Sequence, residues 1–200
     1  EAKARVWLVD INGLVTDAMQ GLTDYQQDYA RKASEVSHWQ SDREGKIRLL
    51  EVVKQVKPTI LIGTSTDHGA FTEEVIKAVA LGVEQPIILP LSNPTERIEV
   101  MPDKVIEWTA GKGLVAVGIP VPPVSYNGVK YIIGQANNAL LYPGLGLGII
   151  VSGANTITDG MLLAAAEAVA SQVNPQDVGA SLLPSVNHLR ASSATVAVAV

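Results

Sequence analysis

The hydrophobic and polar positions divide the chain into a strand-and-helix portion and a helical end. Apolar runs beginning near Ile60, Ile87 and Leu114 recur about every 27 residues, the span of a β-α-β unit. Their continuity, rather than alternation, fits strands buried on both faces. An earlier run, Val6-Trp7-Leu8-Val9, closes on Asp10 and is turned away by Asn12-Gly13, which predicts another buried parallel strand. Residues 14 to 45 are polar and weakly periodic, predicting a long loop with one short helix at most, and loops of that length tend to be functional. Lys46 to Val56 places Ile47, Leu50, Val53 and Val56 on one helical face. A helix over 71 to 82 is predicted with Thr72 as its N-cap and Glu73 and Glu74 in the first turn, where the helix dipole favours acids. A shorter helix is predicted from Pro102 to Trp108, and Asn127-Gly128 predicts a hairpin. Beyond Asn138 the pattern is helical: about 139 to 153, then 159 to 172 with Thr158-Asp159 as cap, a short helix after Asn174-Pro175, and one from about 188. The closing Thr195 to Val200 alternates like a strand, but its alanines and surroundings favour helix.

This rhythm means an α/β chain with a parallel sheet. At 47% hydrophobic and 18% charged residues there is apolar material for a real core. Only 4% of residues are aromatic, with one Phe, so Val, Ile, Leu and Ala must fill it. A strand-like run follows directly on position 1, and no cap or stop signal precedes Val200, so the chain reads as a piece of a longer protein.

Charge and composition narrow the chemistry. A net charge of −5 and a pI near 5.2 lack the basic footprint that nucleic acid or an anionic membrane surface needs. The absence of cysteine removes thiol catalysis, disulfides and thiolate metal sites, and is compatible with the cytoplasm. The longest apolar run, 139 to 151, is interrupted by Pro143 and glycines and does not read as a membrane span. The three histidines, His38, His68 and His188, have no metal-ligand spacing, and no Ser-His-Asp order stands out. No Gly-x-Gly-x-x-Gly opens a helix; Gly144-Leu-Gly-Leu-Gly has the wrong spacing and reads as a helix-packing surface. His38 reads as a surface or interface residue.

Parallel sheets take ligands outside the carboxyl ends of their strands. The predicted tips carry Asp10, Thr64-Ser65-Thr66, Ser92-Asn93-Pro94 and Gly118-Ile119-Pro120. All but Asp10 are uncharged, small or hydrogen-bonding, which fits a cofactor held through backbone and amide groups. An acid at such a tip takes the two hydroxyls of an adenine ribose; the alternative is that Asp10 only opens a turn. Asn93 is either a ligand contact or part of an Asn-Pro turn. In Gly134-Gln135-Ala136-Asn137-Asn138 the paired amides of Asn137 and Asn138 either cap the following helix or face a ligand, and the ligand reading is preferred.

These stretches together resemble a known family. Val6-Trp7-Leu8-Val9-Asp10, Gly63-Thr64-Ser65-Thr66 leading to Phe71-Thr72, Leu91-Ser92-Asn93-Pro94-Thr95, Gly118-x-Pro120, and Gly134 to Asn138 followed by Tyr142-Pro143-Gly144 resemble, in order and spacing, the NAD-binding domain of malic and malolactic enzymes. The resemblance implies a Rossmann-like doubly wound parallel sheet, incomplete at its N-terminal end, divided into a partial dinucleotide-binding domain (1–153) and a C-terminal helical segment packed on it (154–200). It implies that Asp10 binds the ribose, and that Gln26 stands where NADP-preferring members have a lysine, so the cofactor is NAD. Thr64 and Ser65 then line the dinucleotide. Asn93 and Gly118 lie at its nicotinamide end, Asn93 and Asn137 hold the substrate carboxylate, and Asn138 is on the nicotinamide side. The catalytic tyrosine and lysine, the acidic ligands for Mn2+ or Mg2+ and the first glycine-rich loop are expected upstream of this chain.

The implied substrate is L-malate and the implied assembly a cytoplasmic homodimer or homotetramer. Gly63-Thr64-Ser65-Thr66, Gly118-Ile119-Pro120 and Tyr126-Asn127-Gly128-Val129 look more like the malolactic branch, which yields L-lactate and CO2. Ser37-His38-Trp39 looks more like bacterial malic enzymes, which yield pyruvate, CO2 and NADH. The malolactic branch is favoured. A reading from another class is a nucleotide-binding module without catalysis.

Overall fold

The computed structural model describes residues 3–200. In chain order its elements are β1 (Val9–Asp10), β2 (Gly13–Leu14), α1 (Asp24–Tyr29), α2 (Ala33–Val36), α3 (Leu49–Val56), β3 (Ile60–Gly63), α4 (Glu73–Gly82), β4 (Ile87–Pro90), α5 (Pro102–Trp108), β5 (Leu114–Val117), β6 (Val124–Tyr126), β7 (Val129–Tyr131), β8 (Gly134–Gln135), α6 (Tyr142–Ser152), α7 (Asp159–Ala170) and α8 (Leu189–Ala199). They form two compact units. One comprises the chain up to Thr59 together with Thr72–Glu84, the other Ile60–Phe71 together with Gln85–Val200.

In the first unit the predicted buried parallel strand is replaced by a two-residue antiparallel ribbon, in which Val9 pairs with Leu14 and Asp10 with Gly13. The Asn12 amide donates to the Asp10 carboxylate at 2.7 Å, so the turn closes on the acid itself and sends the chain straight back. Val6 stays exposed and Trp7 to Val9 half-buried. The stretch 14 to 45 holds two short helices, α1 and α2. The α1 helix starts at a reciprocal capping box, Thr23 accepting from the Gln26 amide while Gln26 accepts from Thr23. The rest is ordered by a small core of Leu14, Val36 and Val52 flanked by Trp7, Trp39 and Ile47. There Trp7 stacks on Trp39 at 5.2 Å, and the Arg31 guanidinium lies 3.8 Å from the Trp7 ring. His38 is exposed, edge-on to Trp39. Helix α3 begins three residues later than its periodicity predicts, because Arg48 is still extended and the Ile47 carbonyl accepts from the Leu14 amide. In α4 Thr72 caps as predicted, accepting from the Val75 amide.

The second unit is built on a four-stranded parallel sheet in the order β3-β4-β5-β8. Ile60 pairs with Ile87 and Ile87 with Leu114, so the interval read from the sequence is the register of the sheet. The sheet core includes Leu61, Ile88, Val115, Ala116 and Val117, all buried. The strand β8 has no counterpart in the predicted elements; two residues are too few to show a period. The hairpin β6–β7 turns at Asn127 and Gly128, both at positive φ, as a two-residue turn of this kind demands. The predicted helix at 139 to 153 divides into a 3-10 turn, Asn138–Leu140, and α6. No helix follows Pro175: the Asn174 side chain accepts from the Gln176 amide and donates to Asp177, and these local bonds hold a turn instead. Helices α6, α7 and α8 bury Leu145, Ala165, Ala168, Val169 and Val196 together with Leu140. Among the described residues no helix is long and apolar enough to cross a membrane.

Candidate functional site

The second unit presents the carboxyl ends of four parallel strands side by side. Backbone bonds extend the ladder past them: the Leu91 amide donates to the Gly63 carbonyl, Gly118 to Pro90, and Ala136 to Val117. The segments leaving these tips carry Thr64 and Ser65 from β3, Asn93 from β4, Gly118 from β5, and Asn137 and Asn138 from β8. The structure therefore brings six of the predicted site residues to one end of one sheet. Thr64, Ser65, Asn93, Asn137 and Asn138 are exposed there, and none is charged. The peptide bond between Asn93 and Pro94 is cis.

Asn137 and Gly118 also have local duties, as does Ser65 through a buried acid. The Asn137 side chain caps the 3-10 turn, accepting from the Ala139 amide at 2.9 Å, so the capping reading holds for its oxygen, while its amide nitrogen can still donate outward. A Cβ added at Gly118 would lie 2.1 Å from the Leu91 carbonyl oxygen; glycine is required because two tip segments cross there at backbone distance.

Beneath the tips of β3 and β4 lies a residue with no signal in the sequence, Glu99, which is fully buried. Its carboxylate accepts from the Ser65 amide at 2.8 Å, the Ser65 hydroxyl at 2.9 Å, the Ser92 hydroxyl at 2.5 Å and the Ser92 amide at 3.4 Å. Burial pushes this carboxyl up, but the hydrogen bonds from Ser92 and Ser65 outweigh it and hold the group below its ordinary range. A Cβ on Gly63 would meet the Glu99 carboxyl carbon at 2.6 Å, so that glycine makes room for the acid.

Asp10 and Gln26 belong to the first unit and meet each other. The Gln26 Nε2 donates to Asp10 Oδ2 at 3.0 Å, and the Asn12 amide occupies Oδ1. Gln26 is itself pinned, its Oε1 accepting from the amide and hydroxyl of Thr23. A carboxylate has about four lone-pair sites, so half-buried Asp10 keeps acceptor capacity for a pair of hydroxyls. The uncharged, hydrogen-bonding tips of the second unit, taken by themselves, fit a dinucleotide. Among the described residues no three His, Asp or Glu side chains gather to hold a metal ion. A cleft lined by Leu114, Tyr131, Ile133 and Gly179 opens at the amino end of β5, the end at which parallel sheets do not take their ligands.

An all-parallel α/β sheet with small hydrogen-bonding residues on its carboxyl tips defines the class of Rossmann-like nucleotide-binding domains. Comparison with known proteins makes the assignment specific. All 200 residues match the family described as malic enzyme, NAD binding domain, and the chain belongs to that family. It is 57% identical over 201 residues to NAD-dependent malic enzyme 3 of Bacillus subtilis (strain 168), covering all of this chain and 36% of that protein. It is 47% identical over 199 residues to the NAD-dependent malic enzyme of Acinetobacter baylyi, covering 98% of this chain and 35% of the relative. The malolactic enzyme of Lactococcus lactis is 46% identical over 200 residues, with all of this chain and 36% of the relative covered. The chain spans little more than a third of the length of these curated relatives.

Proposed function

We propose that the full-length protein is an NAD-dependent malic enzyme that converts L-malate to pyruvate and CO2 with reduction of NAD, and that this chain supplies most of its cofactor face. The observation that carries the reading is the identity to relatives bearing that name, 57% and 47%. The malolactic preference rests on three short motifs, whereas identity over the whole chain is lower, 46%, for the malolactic relative; the malic reading is therefore the one adopted.

In this reading Asp10 takes the ribose hydroxyls, and Gln26 orients it while leaving no cation for a 2′-phosphate. Thr64, Ser65, Asn93, Gly118 and Asn138 line the dinucleotide, the glycine through its backbone. Asn93 and Asn137 orient the substrate carboxylate by donating amide hydrogens, which places malate without neutralising it. NAD, when bound, supplies the hydride acceptor. The Mn2+ or Mg2+ that the reading calls for has its ligands in the rest of the full-length polypeptide. The proposal includes a cytoplasmic homodimer or homotetramer, and a division of this chain into a partial dinucleotide-binding domain (1–153) and a packed helical segment (154–200).

The test is product analysis of the full-length protein with L-malate, NAD and Mn2+. Pyruvate and NADH in equal amounts are expected. Lactate without net NADH would move the protein to the malolactic branch, and no turnover with intact NAD binding would leave a binding module.

A further inference from the structure

Among the described residues Glu99 is the one fully buried carboxylate, and its bonds form two chains that end on backbone amides. An ionised carboxylate can only accept, so the hydroxyls of Ser65 and Ser92 must both donate to it. With its hydrogen committed, the Ser92 oxygen accepts from the Thr66 amide at 2.9 Å, and the Ser65 oxygen accepts from the Asp67 amide at 3.2 Å. The polarity of both chains is set from the buried end, and each bond strengthens the next.

The residue at the end of one chain needs such a restraint. Thr66 has φ 56, a left-handed conformation that a β-branched residue avoids and keeps only where its surroundings hold it there. The segment carrying Glu99 also grips the far side of the same loop, its Ile98 and Glu99 carbonyls accepting from the amides of Gly69 and Phe71. The carboxylate thus ties the loop after β3 to the turn after β4, the two segments that carry Thr64, Ser65 and Asn93.

We infer that Glu99 is a positioning residue for the cofactor face: acting through Ser92 and Ser65, it holds the loop after β3 in the left-handed turn at Thr66 before the dinucleotide arrives. A preformed loop loses less freedom on binding, so its restraint appears as affinity. Glu99 touches neither cofactor nor substrate in this role. The inference rests on the reading of these tips as the NAD site.

The experiment uses the full-length protein and measures NAD dissociation constants by calorimetry, with amide hydrogen exchange as a second readout. Glu99→Gln leaves one acceptor oxygen and sets an amide against the Ser92 N–H, while Ser92→Ala removes the hydroxyl that links Glu99 to Thr66 and leaves the chain through Ser65 in place. Each is expected to weaken NAD binding about tenfold, the worth of a charge-assisted bond, and to raise exchange at Ser65 and Thr66 without raising it in β5. Thr66→Gly, which adopts positive φ freely, is expected to recover most of the affinity lost in Ser92→Ala. If both single variants bind NAD within about twofold of wild type, the inference is overturned. It is equally overturned if their loss is not recovered by Thr66→Gly and exchange rises throughout the sheet, for Glu99 then supports only the fold. A wild-type protein that does not bind NAD would instead overturn the functional reading on which the inference rests.

Discussion

Asp10 and Glu99 are both carboxylates hydrogen-bonded by a backbone amide and a side chain, yet the two regions use them differently. Asp10 sits half-buried at a turn with one bond to each oxygen, so it retains acceptor capacity and can serve a ligand. Glu99 is enclosed, and its two oxygens accept four bonds, so its capacity is turned inward. The difference teaches that an acid's role at a strand tip is decided by how many of its lone pairs the protein has already used.

If that contrast is right, the two acids respond differently to removal. The largest effect is expected for Glu99→Ala, which leaves the hydroxyls and amides of buried Ser92 and of Ser65 without their acceptor; chemical denaturation of the full-length protein should show a loss of roughly 2–5 kcal/mol. Gly63→Ala forces a methyl against the same carboxyl and should cost roughly 1–3 kcal/mol in the same measurement. Asp10→Ala should weaken NAD binding by roughly 1–3 kcal/mol, read by calorimetry, with a smaller loss of stability than Glu99→Ala; unchanged affinity would break the contrast from its other side. Asn137→Ala should lower stability by about 1 kcal/mol through the lost cap, and reduce malate turnover more than NAD affinity; the reverse order would remove it from the substrate.

Acid sharpens the comparison further. Because the folded protein holds Glu99 below its ordinary value of 4.5, the ionised form's contribution is fully present above that pH. It is lost as pH falls through the lower folded value. Glu99→Gln should therefore flatten the fall in stability on that acid side, as followed by circular dichroism.

The sequence made the sheet legible because three apolar strands repeat at one interval, and that interval proved to be the register of Ile60, Ile87 and Leu114; β3 itself is buried on one face only, with Ile60 and Ile62 exposed. It also placed the tip residues of β3, β4 and β5, since strand ends follow from strand positions. What it hid was set by contacts distant in the chain or by very short elements. Glu99 reaches Ser65 across 34 residues, and nothing beside it in the sequence marks an acid that will be buried. The ribbon at Val9–Asp10 and the turn after Asn174 were decided by side chains bonding their own backbone, against an apolar run in one case and a helical neighbourhood in the other. For Asn137, capping and ligand contact are compatible because one amide offers both an acceptor and donors.

The most direct test is a structure of the full-length protein with NAD bound. The dinucleotide is expected across the carboxyl ends of β3, β4, β5 and β8, against Thr64, Ser65, Asn93 and Asn138. A dinucleotide at the amino end of the sheet, in the cleft between Leu114 and Tyr131, would contradict the account.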